Sequence, residues 1–192
     1  MYYVITVGHR LATRSIVPYA YYQKLSHRDK ATYRRSDAIE HIALNDPARL
    51  NPMVQGLQAA LEQDNQRLLR QISQQLLNEI TRDLNTSPVH IKVLARRPSD
   101  ESEELHGLYE PAEHSKDRAV ITVWMRTAAK RQLVAFKTFL RTLLHETCHH
   151  LDYEWLKLEE SFHTEGFFKR ESNLFKQLTK VRNMEQQSLE LT

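Results

Sequence analysis

The sequence predicts an α+β domain in which a small three-stranded sheet packs on long helices. Glycine accounts for only 4 of the 192 residues, whereas an average protein has roughly 7%, so architectures built on many tight β-turns are disfavoured. Apolar residues recur every three to four positions in long blocks, and they alternate with polar residues in shorter runs between those blocks. The resulting order is helix, three strands, helix, helix, which is typical of the α+β class.

The first fifty residues are expected to form a helix-rich N-terminal extension to a main domain over residues 51–192. Six of the eight tyrosines lie in this stretch, and the apolar pattern predicts a helix over about residues 29–44, ending before Asn45-Asp46-Pro47. A tyrosine ring is apolar whereas its hydroxyl prefers water. We therefore expect these side chains to form half-buried cover.

One long amphipathic helix is predicted over about residues 53–84. Pro52 suits its first turn, and Asn85-Thr86-Ser87-Pro88 ends it. Three strands follow, over residues 89–94, 105–109 and 119–125. The apolar side chains of the helix recur at multiples of three to four residues: Leu57, Leu61, Leu68, Ile72, Leu76, Ile80 and Leu84.

Two further helices are predicted, over about residues 128–158 and 164–184. The first contains the pattern His-Glu-x-x-His at His145, Glu146 and His149. Two residues four apart on a helix differ by about 40° around the axis and ~6 Å along it, so both imidazoles can reach one metal ion. Glu146 points about 100° from His145, beside the metal rather than on it, which suits a base acting on a metal-bound water.

The residues around the motif indicate that this helix lines a cleft. On a helical wheel, His145 and His149 lie almost opposite the apolar face, which would pack in the core. Asp152 is expected to hold a histidine in the required tautomer, and His150 is expected to lie at the surface. The apolar face consists of Phe136, Leu140, Leu143, Leu144, Thr147 and Leu151.

A catalytic zinc ion takes three protein ligands and keeps one position for water. His163 is the favoured third ligand, because it lies fourteen residues past His149, where the motif helix has ended and the last helix begins. A carboxylate remains an alternative third ligand, from Asp152 or from Glu159, Glu160 or Glu165. Cys148 is a further alternative, although a small buried apolar role is more common for a lone cysteine.

Composition and charge exclude several classes of protein. Cys148 is the single cysteine, so neither an intrachain disulfide framework nor a four-cysteine zinc ribbon can form. No apolar run approaches the ~18 residues that a membrane helix needs, and His9 and Arg10 come too early for a secretory signal. A cytoplasmic protein is therefore expected. The net charge of +3 is too small and too scattered to give a nucleic-acid partner more than weak support.

The motif and the residues that follow it resemble the SprT-like (Spartan-type) zinc metallopeptidases. The resemblance rests on His145-Glu146-Thr147-Cys148-His149 and on His163-Thr164-Glu165-Gly166-Phe167, and it covers about residues 89–180. That family has a histidine a helix-length past the motif and an aromatic residue four positions after it, which Phe167 matches. Thr164 stands where the family usually has glycine. The segment Gly107-Leu108-Tyr109-Glu110-Pro111 also resembles the small metallopeptidases of the ImmA/IrrE type.

The resemblance implies a minimal zincin-like domain that hydrolyses a protein or peptide substrate. Zn²⁺ would be held by His145, His149 and His163, with Glu146 as general base. The substrate would extend along the open edge of the strand at 119–125, and Tyr109 and Tyr153 are candidate oxyanion helpers by residue type.

Two alternatives to a general peptidase stay open. One is a zinc-stabilised binding or regulatory module without catalysis, and the other is a protease acting on nucleic-acid-bound proteins. A further hypothesis is that residues 1–50 cover the cleft and keep the protein latent.

Overall fold

The computed structural model describes residues 19–96, 106–114, 117–127 and 132–180, and it confirms the α+β class. These residues form five α-helices and a three-stranded mixed sheet. Two short 3-10 helices, Ala20–Lys24 and Pro47–Leu50, precede α1 and α2. The elements are α1 (His27–Asp37), α2 (Asn51–Glu62), α3 (Gln66–Asp83), β1 (His90–Leu94), β2 (Gly107–Glu110), β3 (Val120–Trp124), α4 (Phe136–Glu154) and α5 (Glu165–Thr179).

The sheet has the order β1-β3-β2, with β1 parallel and β2 antiparallel to β3. The expectation that the strand at 119–125 offers an open edge is therefore wrong, because β3 is hydrogen-bonded on both sides. Its composition explains the position: Ile121 and Val123 are fully buried and Trp124 is nearly so, and a strand of this kind is most stable in the centre of a sheet.

The outer edge of β1 is covered by glutamine side chains of α3. The Gln74 amide accepts a hydrogen bond from the Ile91 backbone N (3.0 Å) and donates one to the Val89 carbonyl oxygen (2.9 Å). Gln66 donates to the Val93 carbonyl oxygen at 2.8 Å. Side chains that satisfy the backbone groups of an edge strand prevent it from pairing with another chain. β2 forms the opposite edge of the sheet, and α4 packs against it.

The predicted single helix over 53–84 is wrong, because the chain turns between α2 and α3. Asp64 has a φ of 55°, a left-handed conformation that aspartate tolerates better than most residues. The Asn65 side chain then accepts a hydrogen bond from the Leu68 backbone N at 3.1 Å and caps the start of α3. The turn allows α2 and α3 to pack against each other, whereas a continuous helix would hold them end to end.

The helix predicted over 29–44 ends earlier, at Asp37. The chain beyond α1 instead runs along α5, whose side-chain amides replace the missing helical hydrogen bonds. Asn173 accepts from the Ile42 backbone N (3.2 Å), and Gln177 accepts from the Leu44 backbone N (3.1 Å). Ile42, Leu44 and Leu50 join the same hydrophobic core as α4 and α5. The division into residues 1–50 and 51–192 stays a prediction.

The motif helix is shorter than expected at both ends. It begins at Phe136 because residues 126 and 133 pair as an antiparallel bridge just before it, and it ends at Glu154, shortly before Lys157 adopts a φ of 51°. The last helix is confirmed over Glu165–Thr179. The expectations for residues 1–18, 97–105, 128–131 and 181–184 lie outside the described residues. Among the helices of the described part, none has the length and apolar character needed to cross a membrane.

Candidate metal centre

Three histidines from two places in the chain meet at one point of the structure. His145 and His149 lie one turn apart on α4, and His163 lies in the loop between α4 and α5, which we call the ligand loop (residues 155–164). The Nε2 atom of His163 is 3.0 Å from Nε2 of His145 and 3.1 Å from Nε2 of His149. The three side chains form a group that could hold a metal ion.

The spacing of these nitrogens suits a small divalent cation. Two Zn–N bonds of ~2.0–2.1 Å at a tetrahedral angle place the two nitrogens about 3.3 Å apart, close to the observed distances. The donor set, three imidazoles, is also one that Zn²⁺ binds at catalytic sites. The residues present therefore fit the zinc ion that the motif predicts.

The Nδ1 atoms of the two α4 histidines face away from this point and have fixed partners. His145 Nδ1 lies 3.1 Å from Glu171 Oε2, and it must donate because a carboxylate only accepts. Arg141 donates to the other oxygen of Glu171 at 3.0 Å. His149 Nδ1 lies 2.8 Å from the Ser161 hydroxyl oxygen. These contacts hold both rings in the tautomer that leaves Nε2 free to bind a metal.

Burial keeps two of these imidazoles uncharged. It lowers the pKa of His149 well below its usual value, and it lowers the pKa of His163 to about 3; the neighbouring His145 adds to both shifts. A metal ion binds the neutral ring, so these two residues need not lose a proton at neutral pH before they bind it.

Glu146 lies beside the histidines on α4, and its carboxylate is fully buried. Neither of its oxygens has a hydrogen-bond partner within the described residues. Burial raises the pKa of Glu146 well above its usual value, and the nearby Glu171 adds to this effect. A buried carboxylate without a partner is costly, and such groups are typical of functional sites where a substrate or a water completes the contacts.

Gly107 is a site residue that the sequence analysis did not single out. A Cβ atom at this position would lie 2.3 Å from Glu146 Oε1 and 2.8 Å from Thr142 Cγ2, so only glycine lets β2 approach α4 this closely. The signal was present in the sequence, since a glycine inside a strand often marks a close backbone approach.

The carboxylates that were alternatives to His163 as third ligand have partners of their own. Glu159 accepts from Thr32 and pairs with Arg35. Glu165 pairs with Lys169. None of the alternative third ligands belongs to the histidine group within the described residues; those alternatives were Asp152, Glu159, Glu160, Glu165 and Cys148.

Asp152, which was expected to hold a histidine in the required tautomer, accepts from the Ser161 hydroxyl at 2.7 Å. Ser161 in turn contacts His149, so the effect on His149 passes through one intervening residue. Cys148 is fully buried, and burial raises the pKa of its thiol well above the usual value. This environment agrees with the apolar packing role.

The expectation that His150 lies at the surface is wrong. Its ring is buried, with Nδ1 3.2 Å from the Tyr109 hydroxyl and Nε2 donating to the Ser87 carbonyl oxygen at 2.8 Å. The Tyr153 hydroxyl donates to Glu160 at 2.8 Å. The hydroxyls of both candidate oxyanion helpers therefore have hydrogen-bond partners outside the group of three histidines.

Aromatic rings surround the histidines on the α5 side. The Phe167 ring is fully buried, and its centroid lies 4.8 Å from those of His145 and His149 and 5.2 Å from that of His163. Phe168 stacks on His163 at 5.7 Å and is 37% exposed. His163 is the least buried of the three histidines, so the group is nearest to solvent on this side.

Comparison of the chain with family models, with curated proteins and with solved structures gives no match.

Proposed function

We propose that this protein is a zinc-dependent metallopeptidase in which Glu146 acts as the general base. One observation carries the proposal: Nε2 of His163 lies 3.0 Å from Nε2 of His145 and 3.1 Å from Nε2 of His149, beside a buried glutamate whose oxygens have no partner in the described part of the chain. A structural zinc site normally has four protein ligands and needs no such glutamate. The resemblance to SprT-like peptidases supports the same function.

His145, His149 and His163 would hold the ion. When bound, Zn²⁺ lowers the pKa of a coordinated water towards ~7 and polarises a peptide carbonyl. Glu146 would accept a proton from the attacking water on a carboxylate oxygen and would deliver it to the leaving amine. Burial raises the pKa of Glu146, which favours the protonated carboxyl group that donates to the leaving amine. Glu171 and Ser161 keep the α4 imidazoles oriented throughout.

The substrate would pair with β2 rather than with β3. β3 is central, the outer edge of β1 is covered by Gln66 and Gln74, and β2 is the edge strand on which α4 packs. Gly107 in β2 approaches the Glu146 carboxylate, so a peptide added to this edge would lie near the base.

A zinc-stabilised module without catalysis is the second candidate. The burial of His145, His149 and Glu146 favours it, because a structural metal site needs no open position for a substrate. The two candidates differ in what Glu146 does: it is essential in a peptidase and dispensable in a structural site.

The test measures zinc content and hydrolysis of an unfolded protein substrate for the wild type, Glu146→Gln and His163→Ala. We expect Glu146→Gln to keep its zinc and to lose roughly 10²–10⁴-fold in rate, which is the usual contribution of a general base. His163→Ala should lose zinc.

Zinc-loaded wild-type protein that cleaves no peptide would favour the non-catalytic module. Full zinc occupancy in His163→Ala would transfer the third-ligand role to another residue.

A further inference from the structure

We propose that Ser161 is a positioning residue of the metal centre and that it couples His149 to helix α1 through a buried chain of hydrogen bonds. This chain, which we call the relay, runs through His149, Ser161, Asp152, Arg170 and Ser36. The inference rests on the proposed function only in that a metal ion must bind, and it does not require hydrolysis.

The first part of the relay fixes the His149 ring. His149, Ser161 and Asp152 are all fully buried. The Ser161 hydroxyl has one proton and donates it to Asp152 Oδ2 at 2.7 Å, so at its 2.8 Å contact with His149 it accepts from Nδ1. Nδ1 therefore carries the ring proton, and Nε2 presents its lone pair to His163. Replacing Ser161 would remove this constraint on the His149 ring while all three metal ligands stay unsubstituted.

The second part ties Asp152 to α1. Arg170 is fully buried and donates to Asp152 Oδ1 at 2.8 Å. It also donates to the carbonyl oxygen of Ser36 at 2.6 Å, to the Ser36 hydroxyl at 3.0 Å and to the carbonyl oxygen of Ile39. The carbonyl groups at the end of a helix lack partners within the helix and carry partial negative charge. The C-terminal end of α1 thus holds the guanidinium that balances Asp152.

The same end of α1 also holds the first turn of α5, directly after the ligand loop. The Gly166 backbone N donates to Asp37 Oδ1 at 2.9 Å, and a Cβ atom on Gly166 would lie 2.4 Å from the Asp37 carbonyl oxygen. Tyr21, just before α1, donates from its hydroxyl to the carbonyl oxygen of His163 at 3.1 Å. The N-terminal segment therefore contacts the backbone that carries His163 and the relay that orients His149. In this proposal, the segment from Tyr21 to Asp37 is part of the metal centre rather than a detachable cover.

The test measures the affinity of the full chain for Zn²⁺ by competition with a chelating dye, after circular dichroism has shown that each variant is folded. Ser161→Ala should bind Zn²⁺ roughly 10- to 100-fold more weakly, the usual cost of removing a partner of a metal-bound histidine. Ser73→Ala is the matched control, because Ser73 is equally buried but its hydroxyl donates only to the Leu69 carbonyl oxygen within α3. Its affinity should be unchanged.

A second measurement separates positioning from general destabilisation. The visible absorption of bound Co²⁺ depends on the ligand geometry, so Ser161→Ala should change this spectrum whereas Ser73→Ala should not. Asp152→Asn should weaken Zn²⁺ binding in the wild type but add little to the loss in Ser161→Ala, because the relay is already cut there. Ser36→Ala, at the far end, should lower the affinity by a smaller factor.

The possible failures are distinguishable. Wild-type affinity and an unchanged Co²⁺ spectrum in Ser161→Ala would overturn the inference and leave the metal centre intact. A loss in Ser161→Ala without any loss in Ser36→Ala would overturn the place of the Ser36 hydroxyl in the relay, because the contacts of Arg170 with the backbone carbonyl oxygens of Ser36 and Ile39 remain in that variant. A wild-type chain that binds neither ion would overturn both this inference and the proposed function.

Discussion

Two buried glutamates near the histidines have opposite surroundings. The oxygens of Glu146 have no hydrogen-bond partner among the described residues, whereas those of Glu171 receive hydrogen bonds from Arg141 and His145. Leaving a buried polar group unpaired costs about 1–3 kcal/mol, and more for a charged group. Glu146 therefore lowers the stability of the fold locally, as expected where function and stability compete.

Glu146→Gln should accordingly raise the melting temperature of the metal-free protein. A gain of about 1 kcal/mol corresponds to roughly 2–4 °C for a chain of this size. Glu171→Gln is the matched change at a paired glutamate, and it should lower the melting temperature because it weakens two charge-assisted contacts. Calorimetry in the presence of a chelator measures both. A lower melting temperature for Glu146→Gln would mean that its carboxylate has a stabilising partner.

Gly107→Ala should reduce hydrolysis while zinc stays bound. The added methyl group would overlap Glu146 Oε1 and Thr142, so the carboxylate must move, and overpacking of this kind typically costs 1–3 kcal/mol. Gly56→Ala is the control, since its Cβ would meet only the Ile72 side chain, at 3.1 Å. The rate of hydrolysis, the zinc content and the melting temperature of both variants are compared with those of the wild type. Full activity in Gly107→Ala would show that Glu146 tolerates displacement or is not the base.

At the scale of elements, the turn between α2 and α3 decides how these two helices pack. The apolar pattern runs on through the turn, yet Leu68, a member of that pattern, is 37% exposed. Asp64 adopts a left-handed conformation and Asn65 caps α3. The turn at Asp64 and Asn65 thus ends the helix, although the periodicity of apolar residues continues on both sides of the turn.

Substitutions at the turn distinguish two separate helices from one continuous helix, because the change in the free energy of unfolding has the opposite sign in the two cases. Asn65→Ala should lower the free energy of unfolding by about 1 kcal/mol, because it removes an N-cap. Asp64→Gly should leave it unchanged or raise it, because glycine adopts a positive φ readily. A continuous helix predicts the reverse for both, since alanine favours and glycine disfavours a helix interior. Urea unfolding of the two variants measures the difference.

At the scale of the whole molecule, the candidate metal centre joins parts of the chain that lie far apart in sequence. The α4 histidines, the ligand loop and α5 meet there, and α1 is linked to them through Arg170. A ligand that binds only the folded state stabilises it by an amount set by its concentration and affinity. Metal binding should therefore stabilise the whole domain rather than the loop alone.

Removing the metal should lower the melting temperature in one cooperative transition. At free Zn²⁺ of 100 times the dissociation constant, the stabilisation is about 2.7 kcal/mol. Chelation should remove it, and zinc should restore it. His163→Ala is the control and should melt at the same temperature with and without zinc. A zinc-dependent shift of equal size in His163→Ala would show that the ion binds elsewhere.

The sequence by itself determined what depends on local geometry. Period-two and period-three-to-four patterns predicted β1, β3 and most of the helices, and the four-residue spacing of His145 and His149 placed them on one face of α4. These features follow from the fixed repeats of strand and helix, so the α+β class and the pairing of two histidines were within reach of the sequence. The sequence also favoured His163 as the third ligand, although it left a carboxylate or Cys148 open.

Only the tertiary structure decided what depends on contacts between distant segments. It brought His163 rather than a carboxylate to the α4 histidines; Glu159 and Glu165 lie against cations of their own. It also placed β3 in the centre of the sheet and buried His150. The physical reason is that the partner of a side chain depends on all the groups that folding brings near it. The periodicity of apolar residues along the chain does not contain this information.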